Sequence, residues 1–556
     1  MKSSARRRPI VTATLFAVSC LALVGFGGGR DDDRDRDGHH GKEPPLTVPK
    51  AQCGPHDRPE TGLQGQVPAA LRAAGFMGFN CNLELIGQSR GDGGNWQSAE
   101  FRDRERPERF DRWGRGHGHR PERVCGYHTT ASPALSGPRA NFGVPVLDLT
   151  NPRHPTPTAH LTTTSMLDPW ESLKVNERRQ LLAADNGQNG AGGPEVDIYD
   201  VSDDCRFPQL LASVPVGTGA DGGIVASVIG HEGSWAPDGL TYYGGSPIQH
   251  LYYAVDTSDP TAPKLISQWL TPFGDTPTST YTSGGSHGLS ISDDGTRGYM
   301  VSLSISPPAA DLTNPAVKGT NGLLIYDLTA IQKRMPNAQA KLISSLVWKD
   351  GSAAQHTINV RIRGKPYIIF VDEGGSGGAT SPAQLDTACA AGMPPFPMAR
   401  IIDISNEKNP KIITRIMTEV HDPANCSKVR PDLVGLSIFT YGTHYCSVDN
   451  RHNATTLACG MFNSGIRVYD IRDPERVREI AYYNPPGTTT LSGGSNHTLG
   501  NNWVAGGPDW CSAQVHLDAK RGTLWTHCQD NGVLMLKFRD GVWPFPESST
   551  PPGQQN

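Results

Sequence analysis

The chain has 556 residues, 36% of them hydrophobic and 19% charged, with 63 Gly and 45 Pro, a composition that favours many short strands joined by turns over long helices. Its formal net charge of −4 supplies no basic surplus for a phosphate backbone, which excludes nucleic acid as the expected partner.

The first segment carries Arg6, Arg7 and Arg8, an apolar run from Ile10 to Phe26, and then Gly27 to Gly29, which is the order of an export signal spanning 1–29. The expected location is therefore secreted or in the cell envelope. An uncleaved anchor is the alternative reading of this run, which is close to the shortest that spans a bilayer. Cys20, after Ala17-Val18-Ser19, offers a loosely matching lipidation site, and these two routes are the only membrane contacts expected. Residues 30–45 lack side chains that could be buried and read as a disordered charged linker, with His39 and His40 solvated. A single domain is expected over 46–545 and a disordered tail over 546–556. Within the domain, 90–123 mixes Arg with Asp and Glu in nearly cancelling numbers and reads as an exposed insertion.

From there on the sequence repeats. An apolar strand ending in Asp recurs as Val144–Asp148, Val196–Asp200, Tyr252–Asp256, Leu323–Asp327, Ala399–Asp403 and Ile466–Asp470. A turn rich in Ser, Asn, Asp and Pro follows each, and then a second apolar strand such as Lys264–Ser267. The aspartates lie about 50 to 75 residues apart, a spacing that suits four-stranded propeller blades with loop insertions. Gly532–Phe538 is a degenerate seventh copy with Lys537 in the Asp place. Too little chain follows to finish that blade, so a strand from between Pro45 and Ala74 is expected to close the ring. The expected fold is all-β, a propeller of about seven four-stranded blades.

These repeats resemble the LVIVD-repeat β-propellers of bacterial secreted and surface proteins, over most of the chain from about Asn80 to Phe538. The resemblance implies the fold and no particular activity. With Cys20 set aside, ten cysteines remain, an even set suited to disulfides in an oxidising compartment. Placed on blades, Cys446 with Cys459, Cys511 with Cys528 and Cys81 with Cys125 read as strand-to-strand bridges. Cys389 with Cys426 and Cys53 with Cys205 are the remaining pairs, although spacing alone does not fix connectivity.

Histidines recur at the start of successive blades, as His231, His287, His356 and His444. Asn80, Trp170 or Glu171, and Cys511 or Ser512 fall near the same place in the others. Imidazoles converging on a channel axis offer nitrogen ligands to copper, zinc or iron, and Glu232 adds a carboxylate or holds a ligand imidazole. The arrangement is similar, more distantly, to the selenium-binding protein and methanethiol oxidase propellers. That resemblance implies copper among channel histidines but carries over no residue individually. The competing reading makes the histidines blade spacers inherited with the repeat. His497, His516 and His527 read as loop or packing residues, and Asp372-Glu373 before Gly-Gly-Ser-Gly-Gly as a flexible connection that could also hold a cation. No G-x-S-x-G elbow, P-loop, dinucleotide fingerprint or His-Glu-x-x-His motif occurs, and no nucleotide cofactor is expected.

The expectation is thus an exported propeller with a transition metal on His231, His287, His356, His444 and Glu232, acting on a small molecule as an oxidoreductase. The alternatives are a scaffold that binds a surface protein or glycan, and a metal-dependent hydrolase.

Overall fold

The computed structural model describes residues 46–103, 109–110, 116–117, 122–130, 141–186, 196–215, 230–247, 250–273, 284–305, 309–434, 436, 438–489 and 506–546. The expected export signal, linker and tail, Cys20 and His497 lie outside the described residues, apart from Pro546 of the tail. Among the described residues, no helix is long and apolar enough to cross a membrane.

Seven antiparallel sheets form a seven-bladed β-propeller. Each recurrent Asp strand is the third strand of its blade. In blade 1 the strands are Asn95–Asp103, Arg123–Thr129, Val144–Asp148 and Thr156–Leu161. The first strands of neighbouring blades pack on one another and line the axis, as Lys174–Asn176 does against Glu232–Trp235. Apolar clusters fill the spaces between adjacent blades, for example Tyr299, Leu323 and Ile325 of blade 4 against Ile368 and Phe370 of blade 5. The sheets are thus covered on both faces, which explains strands such as Leu251–Asp256 that are buried at nearly every position.

The repeat extends to the backbone. In blades 1 to 6 the third strand carries a register shift between the two residues before its Asp, such as Ile198/Tyr199 and Val468/Tyr469. The Asp carboxylate then accepts a hydrogen bond from the amide two residues on, as Asp200 does from Ser202 at 2.7 Å and Asp403 from Ser405 at 2.7 Å. Each Asp therefore closes the turn that the sequence pattern implied. In blade 7 the corresponding irregularity falls opposite Met535/Leu536, which places Lys537 at the Asp position.

An N-terminal strand does close the ring, but it is Leu83–Ser89, paired with Gly532–Phe538, and not a segment of 45–74. The strand before it, Phe79–Cys81, adds a fifth strand to blade 6. This displacement corrects two expectations. The 90–123 stretch is not one exposed insertion, because Asn95–Asp103 is the first strand of blade 1. Cys81, sitting on blade 6, pairs with Cys53, and Cys125 of blade 1 reaches Cys205 at the edge of blade 2, so the Cys81–Cys125 and Cys53–Cys205 bridges do not form. The pairs Cys389–Cys426, Cys446–Cys459 and Cys511–Cys528 are as expected. Five disulfides fit an oxidising, extracellular environment.

Candidate metal centre

The blade starts are laced together by main-chain contacts that fix where their side chains converge. The amide of Glu171 donates to the carbonyl of His231 at 3.0 Å, that of Gly288 to Gln355 at 2.8 Å, and that of Tyr445 to Ser512 at 3.2 Å. Gly288 is needed for its contact, because a Cβ there would lie 2.4 Å from the Gln355 oxygen and 2.4 Å from Glu232 Oε2.

On this frame three imidazoles meet one carboxylate. Glu171 Oε2 is 3.3 Å from His231 Nε2 and 3.3 Å from His287 Nε2, and Glu171 Oε1 is 2.9 Å from His444 Nε2. Glu373 approaches from the end of the second strand of blade 5, with Oε2 3.2 Å from His444 Nε2 and Oε1 3.8 Å from His287 Nε2. All three histidines and Glu171 are buried. His444 Nε2, although close to both carboxylates, is aligned for a hydrogen bond with neither.

The far nitrogens set the tautomers. His287 Nδ1 donates to the Gln355 carbonyl at 2.8 Å and lies 3.2 Å from Glu232 Oε2, while His444 Nδ1 donates to the Ser512 carbonyl at 2.9 Å. In both rings, when neutral, the proton sits on Nδ1 and the Nε2 lone pair faces the cluster.

Not every predicted residue arrives. His231, His287 and His444 come together. Glu232 stands behind His287 and also lies 3.6 Å from Lys174 Nζ. His356 does not join them: Nε2 donates to the Cys446 carbonyl at 3.2 Å, Nδ1 faces the Gln355 side chain, and the ring stacks on Tyr445 at 4.6 Å. A register shift between Ala354 and His356, with Ala353 at φ 47°, accounts for this by turning blade 5 out of phase with its neighbours. The residue it frees, Gln355, donates from Nε2 to Glu171 Oε2 at 3.0 Å.

Glu171 and Glu373 replace His356 and Glu232 at the centre. Glu171 occupies the His register of blade 2 and was visible there. Glu373 belongs to a second strand, outside the His register; of the Asp372-Glu373 pair that the sequence offers as a connection able to hold a cation, only Glu373 faces the cluster. Asp372 itself turns away to a buried ion pair with Arg400. The glycines after Glu373 form a turn closed from Gly378 N to Gly375 O at 3.1 Å. His516 stacks on Trp525 at 4.5 Å, and the His527 ring lies tilted against that of His128 at 4.8 Å.

The charges are interdependent. Burial would push Glu171 up, but the charges of His444 and His287 hold it well below the usual carboxylate range. Burial would likewise lower His287 and His444, yet the facing carboxylates, Glu171 foremost, raise them to about 9 and about 10. Burial lowers His231, with His287 adding repulsion, and burial lowers His356 well below its ordinary value, with Lys174 adding to it.

Four aromatic rings, Trp96, Trp170, Phe462 and Tyr445, contact the histidines of the cluster, Tyr445 lying 5.3 Å from His444. Trp96 lies 5.1 Å from His444 and 5.7 Å from Trp170, whose own ring is 5.4 Å from His231. Phe462 is 5.3 Å from His444 and is joined by Phe439 and Trp510.

No family model matches the chain, and no curated protein does. Solved propellers are similar in fold. One is a protein of Bacteroides uniformis provisionally assigned as a 6-phosphogluconolactonase, at 11% identity over 76% of this chain and 93% of that one, TM-score 0.46. A Bacteroides fragilis protein of the same provisional assignment has 10% identity over 75% and 98%, TM-score 0.43. A β-propeller domain from Myceliophteria thermophila has 10% identity over 79% and 99%, TM-score 0.41.

Proposed function

We propose that this chain is an exported propeller of the LVIVD-repeat type whose channel binds a divalent transition metal ion at the Glu171 carboxylate, which is flanked by Nε2 of His231 and His287 on one side and by Nε2 of His444 with Glu373 on the other. The observation that carries the reading is the tautomer arrangement: the Gln355 and Ser512 carbonyls hold the Nδ1 protons of His287 and His444, leaving both Nε2 atoms directed at Glu171. Blade spacing alone would not require three imidazoles to share one carboxylate. The unaligned approach of His444 Nε2 to two carboxylates also fits a site whose ligands bond to an ion and not to each other.

Imidazole and carboxylate donors without sulfur suit iron, zinc or copper(II). A bound ion of this kind would supply Lewis-acid or redox chemistry, and an oxidoreductase acting on a small molecule is the activity proposed. Hydrolysis is less well supported, because Glu232 is engaged with His287 and Lys174 and does not face the cluster as a base would.

Metal content by mass spectrometry, on untagged full-length protein dialysed against a mild chelator, tests the reading. Close to one ion per chain, lost in the His287→Ala/His444→Ala double variant, supports it. A chain that retains no ion and takes none up from iron, zinc or copper solutions sinks it and leaves a binding scaffold.

A further inference from the structure

Four of the aromatic rings beside the cluster share an uncommon backbone conformation, Trp96 within the register shift between Asn95 and Ser98. Trp96, Trp170, Phe439 and Phe462 all sit in the left-handed region, at φ 22°, 46°, 54° and 46°. For bulky side chains this conformation is a costly outlier, and such outliers gather at ligand sites. These four come from separate parts of the fold: before the blade 2 and blade 6 first strands, at the start of the blade 1 first strand, and in the turn between the second and third strands of blade 6. They nevertheless converge on one place. There Trp96 lies 5.7 Å from Trp170 and 6.2 Å from Phe439, and these two flanking rings are only partly buried while Trp96 is 3% exposed. The Trp96 indole Nε1–H has no acceptor among the described residues. A buried donor without a partner carries a cost that an incoming oxygen would remove.

We infer that Trp96, Trp170 and Phe439 bind a planar aromatic molecule carrying an oxygen acceptor, a phenol or aryl ether, and deliver it beside His231 and His444. Trp170 already stacks on Trp96 and Phe439 on Phe462 at 5.0 Å, so the ligand would use the remaining face of each flanking ring, and the Trp96 N–H would fix the orientation of its oxygen. This deepens the metal reading by naming its substrate class, yet the stacking itself requires no ion.

The experiment titrates full-length protein with 2-naphthol, followed by fluorescence, against its saturated analogue decahydro-2-naphthol and against naphthalene, before and after chelation. Saturable binding of 2-naphthol well above the saturated alcohol is expected. Trp170→Leu and Phe439→Leu should each weaken it about tenfold, the scale of one lost stacking contact. Trp96→Phe should abolish the preference for 2-naphthol over naphthalene while leaving naphthalene binding in place. Circular dichroism and metal content of the variants should match the parent. Equal binding of the saturated alcohol, binding unmoved by both flanking substitutions, or no saturable binding overturns the inference. Binding by a chain that never retains metal upholds the aromatic site and sinks the metal reading alone. A metal-loaded chain that does not bind 2-naphthol does the reverse.

Discussion

The side-chain amide of Gln355 donates to Glu171 Oε2 at 3.0 Å, while the Gln355 main-chain carbonyl accepts from His287 Nδ1 at 2.8 Å. One residue thus orients two of the groups that meet at the channel axis. Replacing it by Ala removes only the first contact. Gln355→Ala is expected to weaken metal affinity by roughly 10- to 100-fold, the range for partners that orient ligands. Chelator competition on the folded variant measures it, and unchanged affinity would remove Gln355 from this role.

His356 and His444 share a sequence register but not a position. His444→Ala should lose the ion. His356→Ala should keep full metal content and lower stability by about 1–3 kcal/mol, through the lost hydrogen bond to Cys446 and the lost stacking on Tyr445. Metal analysis paired with urea unfolding separates the two. Loss of metal in the His356 variant would contradict the assignment.

His421 sets part of the acid sensitivity. It is buried, accepts from the Thr418 amide at 3.0 Å and donates to the Pro397 carbonyl at 2.7 Å, and burial lowers its pKa from the ordinary 6.5 to about 4. Between those values the unfolded chain takes up a proton that the folded chain refuses, so stability falls as pH drops through that window and is unaffected by this group above it. From pH 7 to pH 4.5 the loss due to His421 should be about 2–3 kcal/mol. Urea midpoints of the parent and of His421→Gln at both pH values test this: the variant should show the smaller drop, and parallel drops would refute it.

The Cys125–Cys205 bridge ties blade 1 to the edge of blade 2 and closes a loop with a sequence separation of 80. Cys125→Ser/Cys205→Ser should cost about 4 kcal/mol by loop-closure entropy. By contrast, Cys446–Cys459 has a separation of only 13 and joins two strands already paired, so its removal should cost less. Thermal unfolding of the two double variants gives the order, and a reversed order would show that native strain dominates.

The Asp-terminated strands were legible because each Asp serves its own turn, a local task that local sequence records. Ring closure was only half legible: that an N-terminal strand is required follows from the incomplete last blade, but which strand depends on a pairing across the whole chain. The histidine register locates the centre, and Glu171 falls in that register, but a carboxylate there breaks the residue type that marks the other blades. The displacement of His356 depends on one extra residue in a strand, which leaves no trace in composition or spacing. Glu373 reaches the cluster from a second strand, so its acidic pair with Asp372 hints at a cation while the repeat does not connect it to the histidines.

The seam in blade 7 sets the order in which the molecule can be finished. Leu83 pairs with Phe538 and Ser89 with Val533, so a strand near the front of the chain has its partner only once nearly all the rest exists. Until then the front strand has an unpaired edge, and the ring can gape like an unfastened clasp. Glu171, His231, His287, Glu373 and His444 all lie on the five blades between, so the circle can fasten only after every group at its centre has been made.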